Sequence, residues 1–155
     1  MWVRLSAMTV RGLTVAGIAV ALCAMPAATA VATPPDGDAT RTDIAKGSTE
    51  TPVSITTDGP TTLIVQNLVL QPGASSGWHT HPGSELSVIT GGTVALQTAT
   101  ACGPATYGAG QAVFIPAGVP HRVVNESASE AQVVLTYTLP VDAQVRGDAP
   151  DVCAK

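Results

Sequence analysis

Three histidines and one glutamate hold most of the chemistry this sequence can do. His79 and His81 stand one residue apart in "GASSGWHTHPGSELSVITGG", Glu85 follows shortly after, and His121 lies further on in "GQAVFIPAGVPHRVVN". In an extended segment, residues i and i+2 project from the same face, so both imidazoles of the pair can aim at one point. Pro82-Gly83 then lets the chain turn and bring the Glu85 carboxylate back to that point. Imidazole nitrogens bind first-row metal ions at about 2.0–2.1 Å. Three such nitrogens and one carboxylate leave one or two positions of the ion open for water, dioxygen or substrate. A lone histidine reads as an ordinary core or surface residue, whereas three at these spacings read as a metal site. An inward Glu85 without a partner would carry a heavy desolvation penalty, which a cation removes.

The elements that must place these residues are strands. Short runs rich in Val, Ile, Leu and Thr recur between Gly and Pro: "PVSITT", "TTLIVQNLVLQPG", "LSVITGGTVALQTA", "QAVFIPAG", "HRVVNE" and "AQVVLTYTL". That texture predicts an all-β antiparallel sandwich or barrel, and no sustained i, i+3, i+4, i+7 apolar pattern predicts a long helix. Gly91-Gly92 predicts a tight hairpin with positive φ, and Gln71-Pro72-Gly73 and Pro116-Ala117-Gly118 predict turns. The expected inward residues are Leu63, Val65, Leu68, Leu70, Ile89, Leu96, Val113, Ile115, Val123 and Val134. They would form a dry aliphatic chamber beside the ion, suited to a small organic molecule. Trp78 falls on the face opposite the two histidines and reads as packing. Phe114 and Tyr137 fit cavity wall or core equally well, and any of Gln66, Ser87 and Thr136 is placed to touch a ligand. Arg122 alone is thin support for a phosphate site.

The two histidine segments resemble the two motifs of the cupin superfamily. The first runs Gly73, five residues, His79-Thr80-His81, three residues, Glu85, six residues, Gly92. The second runs Gly110, five residues, Pro116-Ala117-Gly118, two residues, His121, three residues, Asn125. The resemblance spans Gly73 to Asn125 and implies a single-domain cupin double-stranded β-helix, a jelly-roll β-barrel of the small, secreted bacterial conserved-barrel type. It makes His79, His81, Glu85 and His121 ligands of a divalent transition metal: iron or manganese first, with nickel, copper or zinc also compatible. It gives Asn125 a backbone-bonding role, and the exposed barrel edges of the family imply a homodimer. The activity it implies is that of an oxygen-dependent oxidoreductase of the dioxygenase or oxidase type acting on a small organic substrate. The alternatives are a non-catalytic metal or small-molecule binding or storage protein, and a Lewis-acid isomerase or lyase.

The N-terminus reads as a transport signal. Arg4 and Arg11 precede the apolar run Leu13–Met25, and the small residues of "PAATAVAT" follow, so residues 1–30 are expected to be a secretory signal peptide cleaved near Ala30 or Ala32. Residues 31–50 then form a flexible leader, 51–140 the barrel, and 141–155 a polar C-terminal tail that only Cys153 pins. The expected location is outside the cell or in the periplasm, without stable membrane anchoring. Cleavage after Ala30 removes two arginines and no acid, taking the formal charge from −4 to −6, and an acidic surface disfavours nucleic acid. Of the three cysteines, Cys23 leaves with the signal, so Cys102 and Cys153 are candidates for one disulfide.

Overall fold

The computed structural model describes residues 36–154, and the expected signal peptide lies outside them. Among the described residues there are nine strands and no helix: β1 (Thr61–Leu70), β2 (His79–Thr80), β3 (Ser84–Gly91), β4 (Thr93–Thr98), β5 (Ala101–Gly108), β6 (Ala112–Ile115), β7 (His121–Val124), β8 (Ala131–Pro140) and β9 (Gly147–Asp148). They form two sheets, in the orders β1-β8-β3-β6 and β5-β4-β7-β2-β9. The named strand pairs are antiparallel. The all-β jelly-roll expectation is met.

Period-two alternation builds the core. On β8 the residues Ala131, Val133, Leu135, Tyr137 and Leu139 are buried, and on β3 the same alternation turns Glu85, Ser87 and Ile89 inward. Ile89 is 1% exposed, and full burial of such a side chain contributes roughly 1.5–3 kcal/mol. Because Glu85 shares a strand face with Ile89, packing of the core also aims the carboxylate. A Cβ on Gly83 would fall 1.8 Å from the Thr138 carbonyl oxygen. Only glycine therefore lets β3 begin flush against β8, two residues before Glu85.

Five expectations are corrected. Leu63 and Val65 are 70% and 64% exposed. β1 pairs with β8 over ten positions without a bulge, so Ile64 and Leu68 face inward and Leu63 and Val65 outward, and Val134, expected inward, lies on the outer phase of β8 between the buried Val133 and Leu135. A face holding both Val65 and Leu68 breaks the two-residue period. Gly91-Gly92 is no hairpin: β3 and β4 belong to different sheets, and Gly92, with φ of 66°, turns the corner between them. "PVSITT" forms no strand, whereas "ACGPATYG" forms β5, pairing with β4 despite its Gly and Pro. The C-terminal segment is held by more than Cys153, because β9 pairs with β2. Ser48, in the stretch read as leader, bridges Gln111 beside β6.

Candidate metal centre

The ladder between β2 and β7 sets His79 directly opposite His121. His81 follows β2, and its carbonyl accepts from the Gly118 N–H at 2.8 Å, which ties the Pro116-Ala117-Gly118 turn to the histidine pair. Glu85 arrives on β3. The structure thus brings together all four residues singled out by type and spacing; each is at most 5% exposed. One potential ligand atom from each lies within 4.8 Å of the others.

Backbone carbonyls decide which imidazole nitrogen is free. Nδ1 of His79, His81 and His121 lies 2.8, 2.5 and 2.9 Å from the carbonyl oxygens of Gly77, Val145 and Val119. A carbonyl only accepts, so each Nδ1 carries the proton and each Nε2 keeps its lone pair, the arrangement that prepares histidine for a metal. Glu85 is oriented in the same manner, its Oε1 accepting from the Ser87 hydroxyl. Its Oε2 lies 2.9 Å from Nε2 of His81 and 3.6 Å from Nε2 of His121, and both nitrogens are buried without a hydrogen bond. Lone pairs facing a carboxylate oxygen call for a positive species between them. A shared metal ion satisfies all of these atoms at once, and the donor set fits it.

Burial alone would raise the Glu85 pKa; donation from His121 and His81, which needs a proton on Nε2 when no ion is bound, and from Ser87 outweighs it and holds the group at about 2. Burial pushes His79 down to about 4, against the Gly77 bond, with His121, Arg146 and His81 adding to the fall. Tyr137 packs on His81 with ring centroids 4.6 Å apart, and burial together with the Glu85 charge raises its pKa. Its hydroxyl therefore stays protonated.

The expected aliphatic chamber is almost filled. Behind Glu85, a void lined by Ile89, Val94, Leu135 and neighbouring side chains measures only ≈ 20 Å³. The usable space lies on the other side of the cluster, a cavity of ≈ 370 Å³ where His79, His81 and Tyr137 meet Gln66, Asn67, Ser76 and Arg146.

The remaining expectations sort by strand phase. Ser87 and Gln66 reach the site, whereas Thr136 lies opposite Leu86 on the outer face. Trp78 is buried away from the cluster, with Arg122 5.7 Å from its ring. Arg122 bonds Gln97 and takes no part in the cavity. Asn125 is 0% exposed and donates to the Leu70 and Ser129 carbonyls. Cys102 and Cys153 are joined in a disulfide with Cα atoms 5.5 Å apart. Sequence reasoning missed the Val145 carbonyl and Arg146. The one available signal was a lone arginine upstream of a cysteine that could fasten its segment.

Comparison with known proteins agrees with this geometry. The family model for the cupin domain matches residues 67–137. Beta-alanine degradation protein BauB of Pseudomonas aeruginosa is 41% identical over 75 residues, which cover 48% of this chain and 79% of that protein. Among solved structures, TT1209 from Thermus thermophilus is 35% identical with a TM-score of 0.45, over 50% of this chain and 74% of that one. A structure reported for the DMSP lyases RdDddP and RnDddQII is 22% identical with a TM-score of 0.51. The match covers 57% of this chain and 44% of that one, and shows a shared fold alone. With both motifs in place on a two-sheet barrel, the chain belongs to the cupin superfamily.

Proposed function

We propose that this chain is an exported metalloprotein that holds a divalent transition metal, iron or manganese first, at His79, His81, Glu85 and His121, and works as an oxygen-dependent oxidoreductase on a small organic molecule. One observation carries the reading. Three imidazole lone pairs and a carboxylate oxygen converge at a point that is sealed on the barrel side and open to the ≈ 370 Å³ cavity on the other.

When bound, such an ion supplies Lewis acidity and one-electron chemistry at its open positions. The chain does the rest. The carbonyls of Gly77, Val145 and Val119 hold the imidazoles in one tautomer and orientation. Ser87 anchors one oxygen of Glu85 and leaves the other facing the cluster. The filled aliphatic interior excludes water from behind, and the protonated Tyr137 hydroxyl can serve as a donor on the cavity wall. BauB is named for the degradation of a small organic compound, which supports a breakdown role. The Cys102–Cys153 disulfide supports export, since such bonds persist in oxidising compartments. The uncovered edge of β1, where Leu63 and Val65 are exposed, supports a homodimer. Light scattering should give twice the monomer mass, and a monomer at all concentrations would end that reading.

Oxygen uptake tests the activity. Metal-loaded protein is offered small phenols, thiols and organic acids, and uptake is expected with one class, dependent on the metal. If a substrate is turned over without consuming oxygen, the Lewis-acid alternative stands. Binding without turnover would leave a storage or carrier protein.

A further inference from the structure

The wall of the open cavity carries one formally charged side chain, Arg146, beside the neutral imidazoles, and the residue reaches it from outside the region matched by the cupin model. The segment that bears it is fixed on both sides. Val145 accepts from His81, Gly147 and Asp148 pair with Thr80 and His79, the Ala149 N–H donates to the Trp78 carbonyl at 3.1 Å, and the Cys102–Cys153 bond closes the end. Arg146 is thus held where the cavity begins, its ordering cost already met by folding.

Its hydrogen bonds leave part of the guanidinium unused. Nε and Nη2 donate to Asp148 at 3.3 and 3.0 Å, and Nη1 donates to the Ser76 carbonyl at 2.8 Å. A guanidinium has five N–H groups, so one remains on each terminal nitrogen, and such a pair matches the two oxygens of a carboxylate. The Asp148 side chain is 89% exposed, so water screens its charge and the pair neutralises Arg146 weakly. Gln66, on the inward phase of β1, and the Tyr137 hydroxyl offer further donors on the same wall.

We propose that Arg146 is the anion-recognition residue of this cavity and that the molecule bound there is a small organic carboxylate, gripped at its carboxylate end by the guanidinium while its other end reaches the His79–His81 cluster. This inference rests on the reading of the cluster as a metal site open to a small molecule.

Calorimetric titration of the mature, disulfide-bonded, metal-loaded protein tests it, with propionate, glycolate and malonate as probes. Propionamide serves as the uncharged twin of propionate, and sulfate as a general anion. At least one carboxylate should bind tenfold or more tighter than propionamide and sulfate. Arg146→Gln should lose that advantage, and Arg146→Lys should keep part of it, with metal content and disulfide mass unchanged in both. Carboxylate and amide binding alike, sulfate binding as tightly as carboxylate, no probe binding at all, or an unaffected Arg146→Gln would each overturn the proposal. Metal bound with carboxylate affinity indifferent to Arg146 would sink this inference alone. Failure to bind metal would sink the reading beneath it, and the Arg146 dependence would still be read on that protein.

Discussion

Around Ile89, Val94 and Leu135 the barrel interior leaves ≈ 20 Å³, whereas on the far side of the histidine cluster the protein leaves ≈ 370 Å³ beside Gln66, Tyr137 and Arg146. Glu85 stands at the boundary, with Ser87 and the aliphatic residues on one side and the imidazoles on the other. The packed compartment is made by residues alternating along β3 and β8, so it comes from the matched domain. The open compartment is finished by the segment from Val145 to Asp148, which lies beyond that domain. The matched barrel therefore supplies rigidity and the candidate metal donors, and the C-terminal segment shapes the cavity beside them.

This division makes substitutions separable. Ile89→Ala in the packed compartment should cost about 2–5 kcal/mol of stability, with metal still bound by the protein that remains folded. Loss of metal without loss of stability would mean that the two compartments are not divided in this way. Replacing Cys102 and Cys153 together by serine should cost about 2–4 kcal/mol, since the bond closes a long loop. Denaturant melts read the loss, and metal content should persist. Ser87→Ala lies on the boundary: it removes the partner that orients Glu85 and should weaken metal binding by about 10–100-fold, measured by chelator competition, with a modest fall in the melting point of the metal-free protein because a buried carboxylate loses a hydrogen bond.

A further test concerns acid. His79 is held at about 4 in the folded protein, against 6.5 for the free group, chiefly by burial. Between those values the unfolded chain binds a proton that the folded chain refuses, so stability falls as pH drops from 6.5 towards 4. Glu85, held at about 2 against 4.5, has burial as its largest but opposing influence and the His121, His81 and Ser87 contacts as the cause of the fall. It extends the loss below pH 4.5. Melting temperatures of metal-free protein across this range should decline with acid, and a rise would contradict the assigned environments.

The ligand quartet was legible because its logic is local: i, i+2 on a strand, a Pro-Gly turn, and a third histidine after a second turn. The strands were legible from their β-branched runs. What escaped depends on pairings distant in sequence. "TTLIVQNLVL" has apolar residues at both phases, and only its register with β8 decides that Leu63 and Val65 face out. Gly91-Gly92 has hairpin chemistry, yet the partners of β3 are β8 and β6 and those of β4 are β7 and β5, so the glycines turn a corner. The tail lacks β-branched runs, and nothing in its composition says that Val145 meets His81 or that Arg146 meets the cavity.

Elemental analysis of the mature protein beside a Glu85→Ala, His121→Ala double variant tests the central claim most directly. The account predicts close to one transition metal ion per parent chain and none in the variant, with the Cys102–Cys153 bond intact in both. Equal metal in the two proteins, or none in the parent after expression with iron and manganese supplied, would contradict it.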